Sequence, residues 1–165
     1  MEYFVLQYDE RINRPLKLDF NQRAFEGEEP FIIYAELDED TQCADYFCGK
    51  KLFNHYFCVS DGLKELLDIY ATNLKAIPFF VTSKKRQEQK VYWKIEIDEE
   101  DCIVHEPFMR YDKLKLMKEP EANPYIFRVV FEKQQYLIVS LHLAENILRK
   151  AFYGVRFVPL QVKEA

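Results

Sequence analysis

Cys102-Ile103-Val104-His105-Glu106 places a thiol three residues from an imidazole. A Cys–His pair can activate a thiolate when a third group orients the imidazole. No orienting group is evident here, so ordinary loop residues are the better reading. Cys43, Cys48, His55 and Cys58 form a second grouping, with the donor set of a tetrahedral zinc site. Structural zinc sites use paired tight knuckles, which this spacing lacks. Cys58 also lies inside the apolar run Tyr56-Phe57-Cys58-Val59, where a buried structural cysteine explains it. The third histidine, His142, falls on the outer face of a helix and reads as solvated.

Two further chemistries are excluded by glycine placement. The four glycines, Gly27, Gly49, Gly62 and Gly154, are too far apart for a phosphate-cradling loop. No Gly-x-Ser-x-Gly nucleophile elbow occurs. The sequence therefore predicts no catalytic residue, no cofactor and no metal.

Charge is the strongest signal that is not structural. Between Glu26 and Asp45 lie Glu26, Glu28, Glu29, Glu36, Asp38, Glu39, Asp40 and Asp45, with no Lys or Arg among them. A second acidic group is Glu96, Asp98, Glu99, Glu100 and Asp101. Hard-cation loops need fixed oxygen spacing and a glycine bend, and Asp38-Glu39-Asp40 has neither. Two readings remain, solvated loops and an electronegative docking surface for a cationic protein. On the second, the contact residues are Asp38, Glu39, Asp40, Asp45, Asp98, Glu99, Glu100 and Asp101.

The elements that must carry these groups follow from periodicity. Residues 2–8, 31–37 and 54–59 read as strands, rich in aromatic and β-branched residues. Leu63, Leu66, Leu67 and Tyr70 then fall on one helical stripe, predicting a helix over 61–72 capped by Ser60 and closed by Asn73. Strand returns over 77–82. Val91, Trp93, Ile95 and Ile97 alternate with Tyr92, Lys94 and Glu96, the pattern of an antiparallel strand with one wet side. Prolines 107, 120 and 124 make 105–123 mostly loop. Residues 125–131 and 136–139 read as strands joined by 132–135. A helix follows, with Leu143, Ile147 and Leu148 inside and Ser140 as its cap. Gly154 turns the chain into a closing strand over 155–162.

The two helical segments echo each other at an offset of eighty residues. Val59, Ser60, Leu63, Glu65 and Ala71 recur as Val139, Ser140, Leu143, Glu145 and Ala151. Each unit runs strand, serine cap, helix, then a strand carrying proline (Ile77-Pro78-Phe79 and Phe157-Val158-Pro159). The fold class expected is α+β: a mostly antiparallel sheet system with two amphipathic helices in a repeated strand-helix-strand unit. A chain of 165 residues fits a single domain over 1–165, with sub-units 1–100 and 101–165 possible around one core.

Composition bounds the function class. Apolar residues are 48%, charged residues 31% and the net charge is −5. Net repulsion of phosphates argues against nucleic acid as a partner. No apolar run reaches eighteen residues, and Met1-Glu2-Tyr3-Phe4 opens no signal peptide, so the expectation is a cytoplasmic protein with no membrane partner and free cysteines.

The last segment carries a resemblance. Ile126-Phe127-Arg128, Tyr136-Leu137-Ile138-Val139-Ser140, the helix, and Gly154-Val155-Arg156-Phe157-Val158-Pro159-Leu160 resemble the C-terminal signature of a bacterial immunity-protein family of polymorphic toxin systems. That family was first described in myxobacteria as a domain of unknown function. Tyr3-Phe4-Val5-Leu6, the 57–67 strand and helix, and Tyr92-Trp93-Lys94-Ile95 are similar to it too. Ala151-Phe152-Tyr153 departs from the pattern, standing where small or polar residues are usual. The resemblance implies a non-catalytic protein that binds and neutralises a cognate toxin, here a basic one. The alternatives are an assembly subunit pairing through the 91–97 strand at a sheet edge, and a small thiol- or metal-dependent enzyme. Monomer and homodimer both stay open.

Overall fold

The computed structural model describes residues 2–71, 74–102, 115–116, 120 and 124–162. It is an α+β fold of two five-stranded sheets and two α-helices. The first sheet is built from β2 (Phe31–Tyr34), β3 (Tyr46–Lys51), β4 (Asn54–Ser60), β5 (Lys75–Thr82) and β6 (Gln89–Glu96). Its spatial order is β2-β5-β6-β4-β3. The second contains β1 (Tyr3–Tyr8), β7 (Lys115–Leu116), β8 (Ile126–Phe131), β9 (Gln134–Ser140) and β10 (Val155–Val162), in the order β7-β10-β1-β9-β8. Helix α1 (Asp61–Tyr70) follows β4, and α2 (Leu141–Arg149) follows β9.

The two orders are the same pattern. In each sheet a short edge strand runs parallel to its neighbour, β2 to β5 and β7 to β10, and the other pairings are antiparallel. The position that β6 holds in the first sheet is held in the second by β1. Register makes the match residue by residue: Ser60 faces Tyr92 as Ser140 faces Tyr3, and Pro78 faces Trp93 as Pro159 faces Phe4. The prolines are thus equivalent at eighty-one residues, one more than the serines. Sequence comparison at eighty pairs Pro159 with Phe79 instead. Proline has no N–H to give a ladder. In both sheets the parallel edge strand begins just past it, at Phe79 and at Gln161.

Both helices begin as expected. The Ser60 hydroxyl accepts from the Leu63 amide at 3.3 Å, and Ser140 accepts from Leu143 at the same distance. Such caps contribute about 1 kcal/mol each. Leu63, Leu66 and Leu67 of α1 join Leu143, Ala144 and Ile147 of α2 in one core with Phe57, Val59 and Ile95 of the first sheet and Leu6, Leu137 and Val139 of the second. A division at residue 100 is therefore crossed by β1, which lies in the sheet formed by the C-terminal strands.

The outer sheet faces are buried as well. Tyr3, Val5, Phe127, Val129 and Ile138 pack with Leu116 and Cys102 on one, and Phe79, Val81 and Tyr92 pack with Leu16, Phe25 and Leu37 on the other. The expected wet side of residues 91–97 is thus corrected. Tyr92 and Lys94 are buried beneath residues 16–47, while Val91 on the opposite face is partly exposed. The Tyr92 hydroxyl donates to the Ala44 carbonyl at 2.9 Å, and Lys94 Nζ donates to the carbonyls of Phe25 (2.6 Å) and Gly27 (2.7 Å). Nor is β6 an edge strand, since β5 and β4 flank it.

Other boundaries moved for local reasons. Strand β3 was not evident from the sequence because Gly49 and a lysine pair interrupt its pattern. A Cβ at Gly49 would lie 2.1 Å from the Phe20 ring, so glycine is required there. The β8–β9 connection is a two-residue turn, Glu132 (φ 49°) and Lys133 (φ 66°), both left-handed as in a type I′ hairpin. The expected closure at Asn73 lies outside the described residues, as does most of 105–123.

The repeat makes a direct prediction. A chain begun at residue 9, with residues 2–8 joined after Val162 through a copy of the 83–88 turn, should fold with native circular dichroism and a cooperative Tm. Val5→Asp in the natural chain order should lose more than about 3 kcal/mol in denaturant titration, by burying an unpaired carboxylate.

Candidate functional site

The first acidic group flanks β2, with Glu26, Glu28 and Glu29 before it and Glu36, Asp38, Glu39 and Asp40 on the loop after it. The Asp38 carboxylate accepts from the Asp40 amide at 2.8 Å and the Thr41 hydroxyl at 3.1 Å. Those bonds hold its pKa below the ordinary carboxylate value, the Asp40 amide foremost. Asp40 pairs with Arg14 at 2.9 Å, and Glu39 approaches Arg86 at 4.0 Å. Exposed pairs of this kind contribute about 0–1 kcal/mol, so water or a partner can replace them. Beside the loop lies a surface groove of about 570 Å³ lined by Tyr34, Glu36, Asp38, Ser83, Lys84 and Lys85.

Asp45 has an internal role. Its carboxylate accepts from the Tyr153 amide at 2.5 Å, its amide donates to the Tyr153 carbonyl at 2.8 Å, and its carbonyl accepts from the Ser60 amide at 2.8 Å. It ties the start of β3 to the end of β4 and to the turn before β10. At that turn Gly154 has φ 77°, and a Cβ there would come within 2.5 Å of the Ala44 Cβ.

The second acidic group follows β6 and lines the open edge of β8. The Arg128 amide donates to the Asp98 carbonyl at 3.0 Å, and the Glu100 amide donates to the Arg128 carbonyl at 2.8 Å. Glu99 bridges Arg128 in parallel, and the guanidinium reaches the Ile97 carbonyl (3.1 Å), Glu99 (3.2 Å) and Gln135 (3.3 Å). Asp98, Glu99 and Asp101 expose their side chains, and Glu100 is half-buried. The structure brings the two groups together at Glu26 and Glu96, which line one cleft of about 250 Å³ beside Lys94, while Asp98 and Glu99 run along β8. A cleft of about 350 Å³ holds Asp98 and Glu99 with His55, Lys75, Glu96 and Arg128, and it includes none of the first group.

The cysteines and histidines do not assemble a reactive centre among the described residues. No three His, Cys, Asp or Glu side chains converge there as metal ligands. Cys43, Cys48 and Cys58 are free thiols. Burial pushes the Cys58 thiol up, which keeps it protonated and poorly nucleophilic, while Cys48 is exposed. His55 meets the Gln134 side chain at 3.2 Å. His142 is exposed, with its ring edge-on to Tyr70 and Tyr125. His105 lies outside the described residues.

Sequence reasoning missed the most exposed apolar feature. The β3–β4 turn is Leu52-Phe53, with the two residues 79% and 77% exposed. Leu52 has φ 55°, a left-handed conformation that a leucine rarely adopts. The equivalent two-residue turn in the other repeat is Glu132-Lys133, where both residues are left-handed, so a tight turn at this place does not require apolar residues. The signal was two adjacent apolar residues just before Asn54, hidden because β3 itself was not read.

No protein-family model matches the chain, and no curated protein matches it. No helix among the described residues is long and apolar enough to cross a membrane.

The buried titratable groups predict alkaline sensitivity. Burial raises the pKa of Cys58, Tyr46 and Tyr92. Groups raised in the fold contribute stability that is complete below their ordinary values and lost as pH rises past them. Lys94, lowered by burial, works in the opposite sense over the same range. Burial raises Tyr8 and Tyr56 in the same sense, and these groups together outweigh Lys94, so Tm should fall steadily above about pH 9. Cys58→Ala should make that fall shallower in a pH series of thermal melts.

Proposed function

We propose that this chain is a non-catalytic binding protein of the immunity type, which neutralises a basic toxin domain by covering it. The observation that carries the reading is the Leu52-Phe53 turn. Exposing two large apolar side chains, with Leu52 held in the left-handed conformation, costs stability, and among the described residues nothing covers them. A partner pocket that receives them would do so, and buried apolar anchors of this size dominate protein interfaces. The net charge of −5 and the exposed Glu28, Glu29, Glu36 and Glu39 favour a cationic partner. The resemblance to toxin-neutralising proteins points the same way.

The test separates binding from folding. Leu52→Asn suits the left-handed position and Phe53→Ser keeps an ordinary backbone at the second, so Tm should hold or rise. Wild type and double variant, immobilised in parallel, are exposed to extract of the source organism and eluted with salt. The expected result is one basic protein held by wild type, released at moderate salt and lost from the variant. Equal capture by both removes the turn from the interface. A second copy of the chain as the captured species would replace neutralisation with assembly.

A further inference from the structure

Strand β2 is an edge of the first sheet, bonded to β5 on one side. Parallel pairing alternates residues that bond inward with residues that bond outward. The Ala35 amide donates to the Thr82 carbonyl at 3.1 Å, which sets the phase. Ile33 shares it, so its amide and carbonyl serve the ladder with β5. The amides and carbonyls of Ile32 and Tyr34 face the open side. Among the described residues no backbone group outside the sheet bonds to either. Their side chains are also 52% and 55% exposed.

The outer edge of β8 is managed differently. Residues 98–100 cover β8. An uncovered edge is a template for another strand. The flanks of β2 say which. Glu28 and Glu29 precede it, Glu36, Asp38 and Glu39 follow it, and all are exposed. A second copy pairing here in either direction would set acid against acid. A lysine- or arginine-flanked strand would meet opposite charge at both ends. Lys84 and Lys85 lie near one end, and Lys84 already sits 4.4 Å over the Tyr34 ring. They lessen that field without reversing it.

We infer that β2 is the docking edge for an extended basic segment of a partner polypeptide, which adds as a sixth strand to the first sheet through Ile32 and Tyr34. The inference rests on the reading of the chain as a binding protein. Main-chain bonds would supply affinity, and the acidic flanks would select the partner.

The test uses the full chain and two nine-residue probes, Val-Thr-Val-Thr-Val flanked by two lysines at each end and its glutamate-flanked twin. Backbone amides are followed by NMR and hydrogen exchange. The lysine probe should shift and protect Ile32 and Tyr34, with affinity falling as salt rises. The glutamate twin should bind at least about tenfold more weakly. Ile32→Pro removes an outward N–H and leaves the ladder to β5 intact, so it should abolish binding while Tm holds. No response at Ile32 and Tyr34, equal binding of the twins, or full binding by Ile32→Pro would each overturn the inference. A dimer that Ile32→Pro dissolves would overturn it in favour of self-pairing. A basic protein captured equally by wild type and Ile32→Pro overturns the docking edge while the neutralising function stands. A lysine probe seated on β2, with no basic protein captured, upholds the edge and removes that function.

Discussion

The fold closes through one strand. β1 lies between β9 and β10, so the second sheet is two separated pieces until the N-terminal segment is laid between them. Its residues also serve both faces: Leu6 enters the core shared with the helices, and Tyr3 and Val5 enter the outer cluster. Helix α2 leans on that sheet, and α1 meets α2 in the same core. Removing β1 would therefore unpin both sheets from each other. The repeat explains why so short a strand suffices, because it fills a place whose neighbours already have the geometry of β4 and β5 around β6.

Burial of both sheet faces fixes what is left for recognition. Residues 16–47 close over the first sheet, and Lys94 joins them to it by donating to two carbonyls. A lysine serves because its stem packs along aromatic rings while its ammonium finds acceptors at the far end. With the faces occupied, the features open to a partner lie on the periphery: the Leu52-Phe53 turn, the β2 edge and the acidic loops. A rigid frame with binding features at its margins loses little conformational entropy on association.

Much of this was legible from local pattern. The helices announced themselves by apolar stripes and serine caps, and β5, β8 and β10 by aromatic and β-branched runs. What escaped depended on partners distant in sequence. Tyr92 and Lys94 look like a wet face until Phe25 and Ala44 are laid over them. Strand β3 is obscured by a glycine that only the Phe20 ring explains. Asp45 reads as one more surface acid, yet its carboxylate secures the Tyr153 amide on the far side of the chain. The Glu132-Lys133 turn carries no asparagine or glycine, so its tight geometry was invisible. Charge density located both acidic groups, but which strands they lie against is a matter of topology, which composition does not encode.

The position of β1 also imposes an order in time. Tyr3 pairs with Ser140 and Leu160, so β1 is made long before the strands it must join. At roughly 5–20 residues per second, it waits on the order of ten seconds during synthesis. The first sheet draws no strand from beyond Glu96 and can close meanwhile. Through that interval Tyr3-Phe4-Val5-Leu6 is an unsatisfied apolar β-segment at the ribosome, where a chaperone or a misplaced pairing competes for it.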